Sequence, residues 1–236
     1  MAGPEQGQRR TRDAQRARQT ILGAAEAVFA EHGFDGARLD RVAKASGYNV
    51  SLLCQYYGDK VGLYSAVLGR AHEETTHLQA QVFGRALMDE TIIFDAQQFR
   101  NVLESVVHAT FDYLLEHPRL LRILTWEMAD GWQTYTRIAS HFEPDDNVQQ
   151  LDVLFKTAWR AGWLRSEFSA MIQLTLIFQL CQSYLAFLPF YQVMPGGEQV
   201  SSAHALSNAR GYLAQFITAG MMFDCPKPKG KTRRHA

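Results

Sequence analysis

An apolar frame punctuated by glycine, between about residues 20 and 60, constrains this chain more than any other feature. Ile21, Leu22, Ala25, Val28 and Phe29 recur at i, i+1, i+4, i+7 and i+8 and so line one face of a helix. Gly33, after His32, is expected to end that helix in a left-handed cap, with Phe34 folding back as an apolar anchor. A short helix is predicted from Leu39 to Ser46, with Leu39, Val42 and Ala43 inward, and Gly47 breaks it. Asn49 is a good N-cap for a second short helix reaching about Tyr57. Gly58 and Asp59 make the next turn, and Asp59 caps a longer helix from Lys60 to about Leu87.

Two helices this short cannot bury their apolar sides alone. Val42, Ala43, Tyr48, Leu53 and Tyr57 find their most economical partners in Ile21, Ala25 and Phe29, which predicts a three-helix core. Such a pair, joined by a tight glycine turn, is a helix-turn-helix. Its second helix enters a DNA major groove while the first braces it against the backbone.

Helical periodicity continues through the rest of the chain, and sustained strand alternation is absent. Helices are expected over 97–116, 118–141, 146–162, 169–188 and 202–222. Pro118 suits a first-turn position, Gly162 a stop and Ser169 a cap. Glu143-Pro144-Asp145-Asp146 and Pro195-Gly196-Gly197 read as loops. The predicted fold class is therefore all-α. A basic, flexible arm over 1–18 precedes a three-helix DNA-binding domain over 19–65. A helical bundle over 66–225 and a basic, disordered tail over 226–236 follow.

Charge is distributed unevenly. The formal net charge is zero, which argues against a protein that coats nucleic acid through bulk charge. Yet the arm carries Arg9, Arg10, Arg12, Arg16 and Arg18, the tail carries Lys227, Lys229, Lys231, Arg233 and Arg234, and the body between is acidic. Basic ends on an acidic body suggest a local anion contact. Cys54, Cys181 and Cys225 have no CxxC spacing and read as free thiols in a reducing compartment, so a cytoplasmic location is expected. The apolar run from Met171 to Val193 is about as long as a membrane span. Gln173, Gln179, Gln182 and Pro189 interrupt it, so a helix buried in protein fits better and no membrane partner is expected.

The ordered pattern Ile21-Leu22-x-Ala24-Ala25, Phe29-x-x-x-Gly33-Phe34, Val42-Ala43, Gly47, Leu53 and Lys60-x-x-Leu63 resembles the N-terminal domain of the TetR family of transcriptional regulators, over roughly residues 18–64. There are departures. The family usually has Thr or Ser where this chain has Arg38, a cation that opposes the helix dipole. It commonly has Tyr where this chain has Cys54, which is expected to be a small, semi-buried residue.

With the resemblance in place, residue types suggest roles. Asn49, Ser51, Leu52, Gln55 and Tyr56 belong to the second short helix, its last four on the outward face. Gln55 suits adenine and Leu52 a thymine methyl. Arg38 and Arg41 on the bracing helix, Arg16 or Arg18 on the arm, and Lys60 at the next helix are phosphate candidates.

For the body, the resemblance implies an all-helical ligand-binding domain and a homodimer formed by the last two long helices. The sequence is compatible. Met171, Leu174, Thr175, Phe178, Cys181, Gln182 and Leu185 form one stripe, and Ile172, Leu176, Gln179, Leu180 and Phe187 another. Leu206, Tyr212, Leu213, Phe216, Ile217 and Met221 supply matching surface. Trp126, Trp132, Tyr135, Phe155, Trp159 and Tyr184 read either as walls of a pocket for a small apolar or aromatic ligand or as ordinary core. Glu127, Asp130 and His141 read as polar anchors or as a solvated face.

No metal site and no cofactor are expected. His72 and His77 are five apart and do not share a helix face, and no nucleophile elbow, P-loop or dinucleotide fingerprint occurs. The sequence thus points to a homodimeric repressor on a palindromic, double-stranded operator, released by a small-molecule effector. An activator or ligand-independent regulator of the same fold is an alternative. So is a small-molecule-binding protein with vestigial DNA binding.

Overall fold

The computed structural model describes residues 4–88, 95–142, 148–197 and 199–223. The loop expected at Glu143–Asp146, Cys225, the basic tail and most of the 88–96 connection lie outside them. The helices are α1 (Pro4–Gly36), α2 (Leu39–Ser46), α3 (Val50–Tyr57), α4 (Lys60–Met88), α5 (Ala96–Glu116), α6 (Pro118–Ala129), α7 (Gln133–Ile138), α8 (Val148–Arg160), α9 (Ala170–Ala186), α10 (Leu188–Tyr191) and α11 (Ala203–Met221). Among the described residues strand pairing is confined to one isolated bridge, Leu164 with Met222. The chain divides into two compact units, Met1–Glu74 with Pro118–Glu143, and Thr75–His117 with Pro144–Ala236.

In the first unit, α1 packs on both α2 and α6. Its core is Ile21, Ala25, Phe29, Val42, Leu53, Leu63 and Tyr64, each at most 1% exposed. Each large side chain among them contributes about 1.5–3 kcal/mol by leaving water. Tyr64 meets both Phe29 and Phe34 edge to face near the start of α4, the Phe29–Tyr64 centroids being 4.7 Å apart.

Two sequence expectations change here. The arm expected to be flexible is helical from Pro4, because proline suits a first turn and the Ala, Arg and Gln that follow are strong helix formers. The single helix expected over 118–141 is two helices and a 3-10 turn (Ala139–His141). Gly131 (φ 68°) and Trp132 (φ 62°) both take positive φ and break it. That conformation is uncommon for a bulky residue.

In the second unit, α9 packs against α5, α8, α10 and α11. Phe99, Leu103, Val107, Phe111 and Leu114 of α5 face Leu174, Ile177, Cys181 and Leu185 of α9, all buried. Ser169 and Ser202 cap α9 and α11 through the amides of Ile172 and Ala205. At the far end of α11 the Arg165 guanidinium donates to the carbonyls of Met222 (2.8 Å) and Ala219 (3.3 Å). A cation there satisfies orphan carbonyls and matches the helix dipole.

Candidate nucleic-acid interface

The geometry of α3 follows from four local devices. Gly47 (φ 76°, ψ 11°) ends α2 in the left-handed conformation and turns the chain. Asn49 caps α3, its side-chain oxygen accepting from the Leu52 amide at 2.8 Å. Leu53, 1% exposed, anchors the helix in the core. The Tyr57 hydroxyl donates to the Arg18 carbonyl at 2.9 Å and so ties the end of α3 to α1. Burial raises the Tyr57 phenol above its ordinary pKa. Gly62 completes the joint, since a Cβ there would lie 2.0 Å from the Tyr57 carbonyl oxygen.

With Leu53 and Tyr57 held inward, Ser51, Cys54 and Gln55 are exposed, and Leu52 and Tyr56 are half-buried on the flanks. Cys54 therefore sits beside Gln55 on the outward face, not in the semi-buried position expected for it. The spacing 51, 54, 55 is the i, i+3, i+4 signal that places it there.

Basic side chains are exposed on the two helices that flank α3 in the core, α2 and α1. Arg38 starts α2 without a side-chain capping bond and lies 3.4 Å from Asp40. Asp40, in the first turn, supplies the negative charge that Arg38 cannot. Arg41 is hydrogen-bonded to the His32 ring. Lys44 is exposed one turn further along α2, and its i+3 spacing from Arg41 is the overlooked signal. On α1 the Arg18 guanidinium lies 4.9 Å from the Tyr56 ring centroid. Arg16, with Asp13, Thr20, Ser46, Gly47 and Tyr48, lines a cleft of about 530 Å³.

Two predicted contacts have structural duties. Asn49 spends an acceptor on the cap. The Lys60 ammonium donates to the Asp35 carbonyl at 3.1 Å and lies 4.6 Å from the Phe34 ring centroid. Two of its directions are thus turned toward α1.

The predicted pocket aromatics fall in both units. In the first, Trp126 of α6 serves the helix-turn-helix core: its indole donates to the Ala30 carbonyl at 3.1 Å and its ring covers Gly33. Gly33 (φ 67°, ψ 180°) breaks α1 into two helical stretches, where a helix stop was expected, but in an extended, positive-φ conformation closed to side chains and not in a left-handed cap, and a Cβ there would meet Trp126 at 3.3 Å. Trp132 and Tyr135 pack on each other at 5.8 Å. In the second unit, Phe155 is buried against Phe99, Tyr184 packs on Phe111 and Tyr191, and Trp159 is 39% exposed.

Glu127, read from the sequence as an anchor or a solvated residue, is 3% exposed. Its carboxylate accepts from the Tyr64 hydroxyl at 2.6 Å and from the Tyr135 amide at 2.9 Å. It thereby caps α7, whose own N-cap, Trp132, has no side-chain bond to offer. Burial first, then the Glu127 hydrogen bond and charge, raise the Tyr64 phenol well above its ordinary pKa. His141 lies in the 3-10 turn, and Asp130 in the turn after α6.

Two family models match the chain. One, described as bacterial regulatory proteins of the tetR family, covers residues 21–67, the core and α3 just described. The other, described as a tetracyclin repressor-like C-terminal domain, covers residues 100–217. The chain belongs to the TetR family. Among relatives of this TetR-family chain, the transcriptional repressor SCO4008 of Streptomyces coelicolor is 33% identical over 116 residues, 49% of this chain and 52% of that protein. The transcriptional activator FasR of Mycolicibacterium smegmatis is 32% identical over 115 residues, 49% of this chain and 47% of that protein. The matches thus span about half the length of these curated relatives. In fold, the chain is similar to FadR of Bacillus subtilis, solved with stearoyl-CoA (TM-score 0.58, 14% identity, 86% of this chain and 98% of that one).

Proposed function

We propose that this TetR-family chain is a homodimeric repressor that reads a palindromic operator through α3 and leaves it when a small, mostly apolar molecule binds the body. The observation that carries the reading is the outward face of α3. Ser51, Cys54 and Gln55 stand exposed on a helix braced from behind by Leu53 and Tyr57, and Arg38, Arg41 and Lys44 are exposed on or at the start of the preceding helix, α2. Basic side chains set the register on phosphates while the polar face meets base edges.

One eight-residue helix reads few base pairs, and a two-fold dimer doubles the contact. The second unit supports such a dimer. Ile172, Leu176 and Leu180 on α9, Phe187 just past its end, and Tyr212 and Phe216 on α11 are each at least 41% exposed and large. These are the second predicted stripe of α9 and part of that of α11; most of the first α9 stripe is buried in the unit's own core. Leaving this much apolar surface in water is unfavourable, and a second copy covers it.

A gel shift on the DNA flanking the chain's own gene tests the reading. A sequence-specific complex that dissociates on adding the effector is expected, and its absence at moderate salt with ligand-stripped protein contradicts it. The FasR match favours a second reading, activation from the same operator. Transcript levels with and without the gene separate the two by sign.

A further inference from the structure

Gln182 of α9 is the outlier among the buried polar groups of the second unit. It is 2% exposed, and neither its amide nitrogen nor its amide oxygen has a hydrogen-bond partner. It is the one residue among the described ones with fully buried, unpartnered side-chain atoms. Its neighbours on the same helix solve the same problem. Gln173, equally buried, donates its amide to the Phe168 carbonyl at 2.7 Å. The Cys181 thiol points at the Val107 carbonyl at 3.9 Å. The buried Thr218 hydroxyl of α11 donates to the Ala214 carbonyl at 2.8 Å. A carboxamide held in an apolar helix interface without partners is costly, more so than an apolar side chain of the same shape. The assignment of oxygen and nitrogen does not matter, since both are orphaned.

We infer that Gln182 is the polar anchor of an effector site between α9 and the helices packed on it, and that the effector is an uncharged molecule with an apolar body and an adjacent hydrogen-bond donor and acceptor. A carboxamide, a lactam or the amide-like edge of a nitrogen heterocycle has that pattern. The inference rests on reading the second unit as an effector-binding body. Three observations shape it. Both amide atoms are sealed from the surface, so a second copy docked on α9 does not reach them, whereas a molecule entering between the helices does. The other buried residues of α9 from Leu174 onward are Leu174, Ile177, Cys181 and Leu185, an apolar face that suits an apolar body. The buried polar side chains of the unit among the described residues are Gln173, Gln182 and Thr218, all uncharged. A charged head would find no buried counter-ion beside Gln182, and burying it unpaired is prohibitive. Because the helices are packed around the amide, entry requires them to shift, and a ligand that favours the shifted arrangement changes the protein's conformational balance.

Benzamide is the test probe, with ethylbenzene as its apolar counterpart, on full-length protein and on the Gln182→Leu and Gln182→Glu variants. The melting temperature of unliganded Gln182→Leu is expected to equal or exceed that of the wild type, because an orphaned amide is removed. A clear drop means that the amide is already satisfied inside the protein, by a bound water for example, and overturns the inference. By titration calorimetry the wild type binds benzamide, Gln182→Leu binds it at least tenfold more weakly, and ethylbenzene binds both alike. No benzamide binding to the wild type, or equal binding to Gln182→Leu, also overturns it. In Gln182→Glu, benzamide binding weakens as pH rises through the carboxyl's titration; a pH-independent affinity counts against direct contact. Operator binding of unliganded Gln182→Leu is read in parallel. Loss of benzamide discrimination with operator binding intact sinks only the anchor, and failure of the wild type to bind operator sinks the repressor reading alone.

Discussion

At the scale of single residues, the face of α3 makes the sharpest demands. Replacing Gln55 with Ala removes one exposed side chain and touches no core contact. It is expected to leave the melting temperature unchanged and to weaken operator binding by about 1.4–3 kcal/mol, tenfold or more, in an anisotropy titration. Cys54 offers a chemical version of the same test, because it is exposed while Cys181 is buried. In a Cys225→Ser background, N-ethylmaleimide is expected to abolish operator binding by the protein that keeps Cys54 and to spare Cys54→Ser; equal inactivation of both removes Cys54 from the face. Burial pushes the Cys181 thiol up to about 12 from an ordinary value of 9.0. The folded state therefore resists ionisation that the unfolded chain accepts. The stability this linkage supplies is whole below pH 9 and is lost as pH rises through the 9-to-12 window. Thermal melts over that range are expected to show a steeper alkaline decline in the wild type than in Cys181→Ala. Residue roles were only partly legible in the sequence. Gln55 and Ser51 follow from helical spacing alone. The same spacing puts Cys54 on that face, and the expectation of a semi-buried thiol followed residue type over position. The Glu127 carboxylate was out of reach, since its partners Tyr64 and Tyr135 lie 63 and 8 residues away.

At the scale of elements, the boundaries of α2 and α3 were the most legible part of the chain, because Gly47, Asn49 and Gly58 each have one local reason to be where they are. The break between α6 and α7 was not, because Trp132 adopts a positive φ that its type does not advertise. Joints between elements belong to this scale too. Gly62→Ala drives a methyl into the Tyr57 carbonyl and is expected to destabilise the protein by about 3 kcal/mol or more, read by urea unfolding. Gly47→Ala, with open space around it, is expected to cost less, about 1 kcal/mol, because only the left-handed backbone opposes it. Glu127→Ala strips an acceptor from both Tyr64 and the start of α7. It is expected to cost roughly 1–3 kcal/mol per orphaned donor, with Glu127→Gln, which keeps an acceptor oxygen, losing less. Equal stability of the two Glu127 variants contradicts the capping role.

At the scale of the whole molecule, an all-α chain with an N-terminal helix-turn-helix was readable from periodicity, and the two family models match both halves of that description. The effector was not readable, because apolar and aromatic residues in a helical body satisfy core and pocket alike. Assembly makes its own prediction. Phe216→Glu places a charge on the exposed apolar face of α11, where Tyr212 stacks on Phe216 at 6.0 Å. It is expected to shift the protein from dimer to monomer in sedimentation velocity and to abolish tight operator binding while leaving the fold intact by circular dichroism. A monomer that still binds the full operator with wild-type affinity contradicts the dimeric reading. The most direct measurement of the central claim is an anisotropy titration of the wild type and Gln55→Ala against a labelled duplex from the DNA flanking the chain's own gene, in excess unlabelled competitor of unrelated sequence. The account predicts a saturable complex of two protomers per duplex that survives the competitor and weakens at least tenfold in Gln55→Ala; binding that the competitor abolishes, or that Gln55→Ala leaves unchanged, contradicts it.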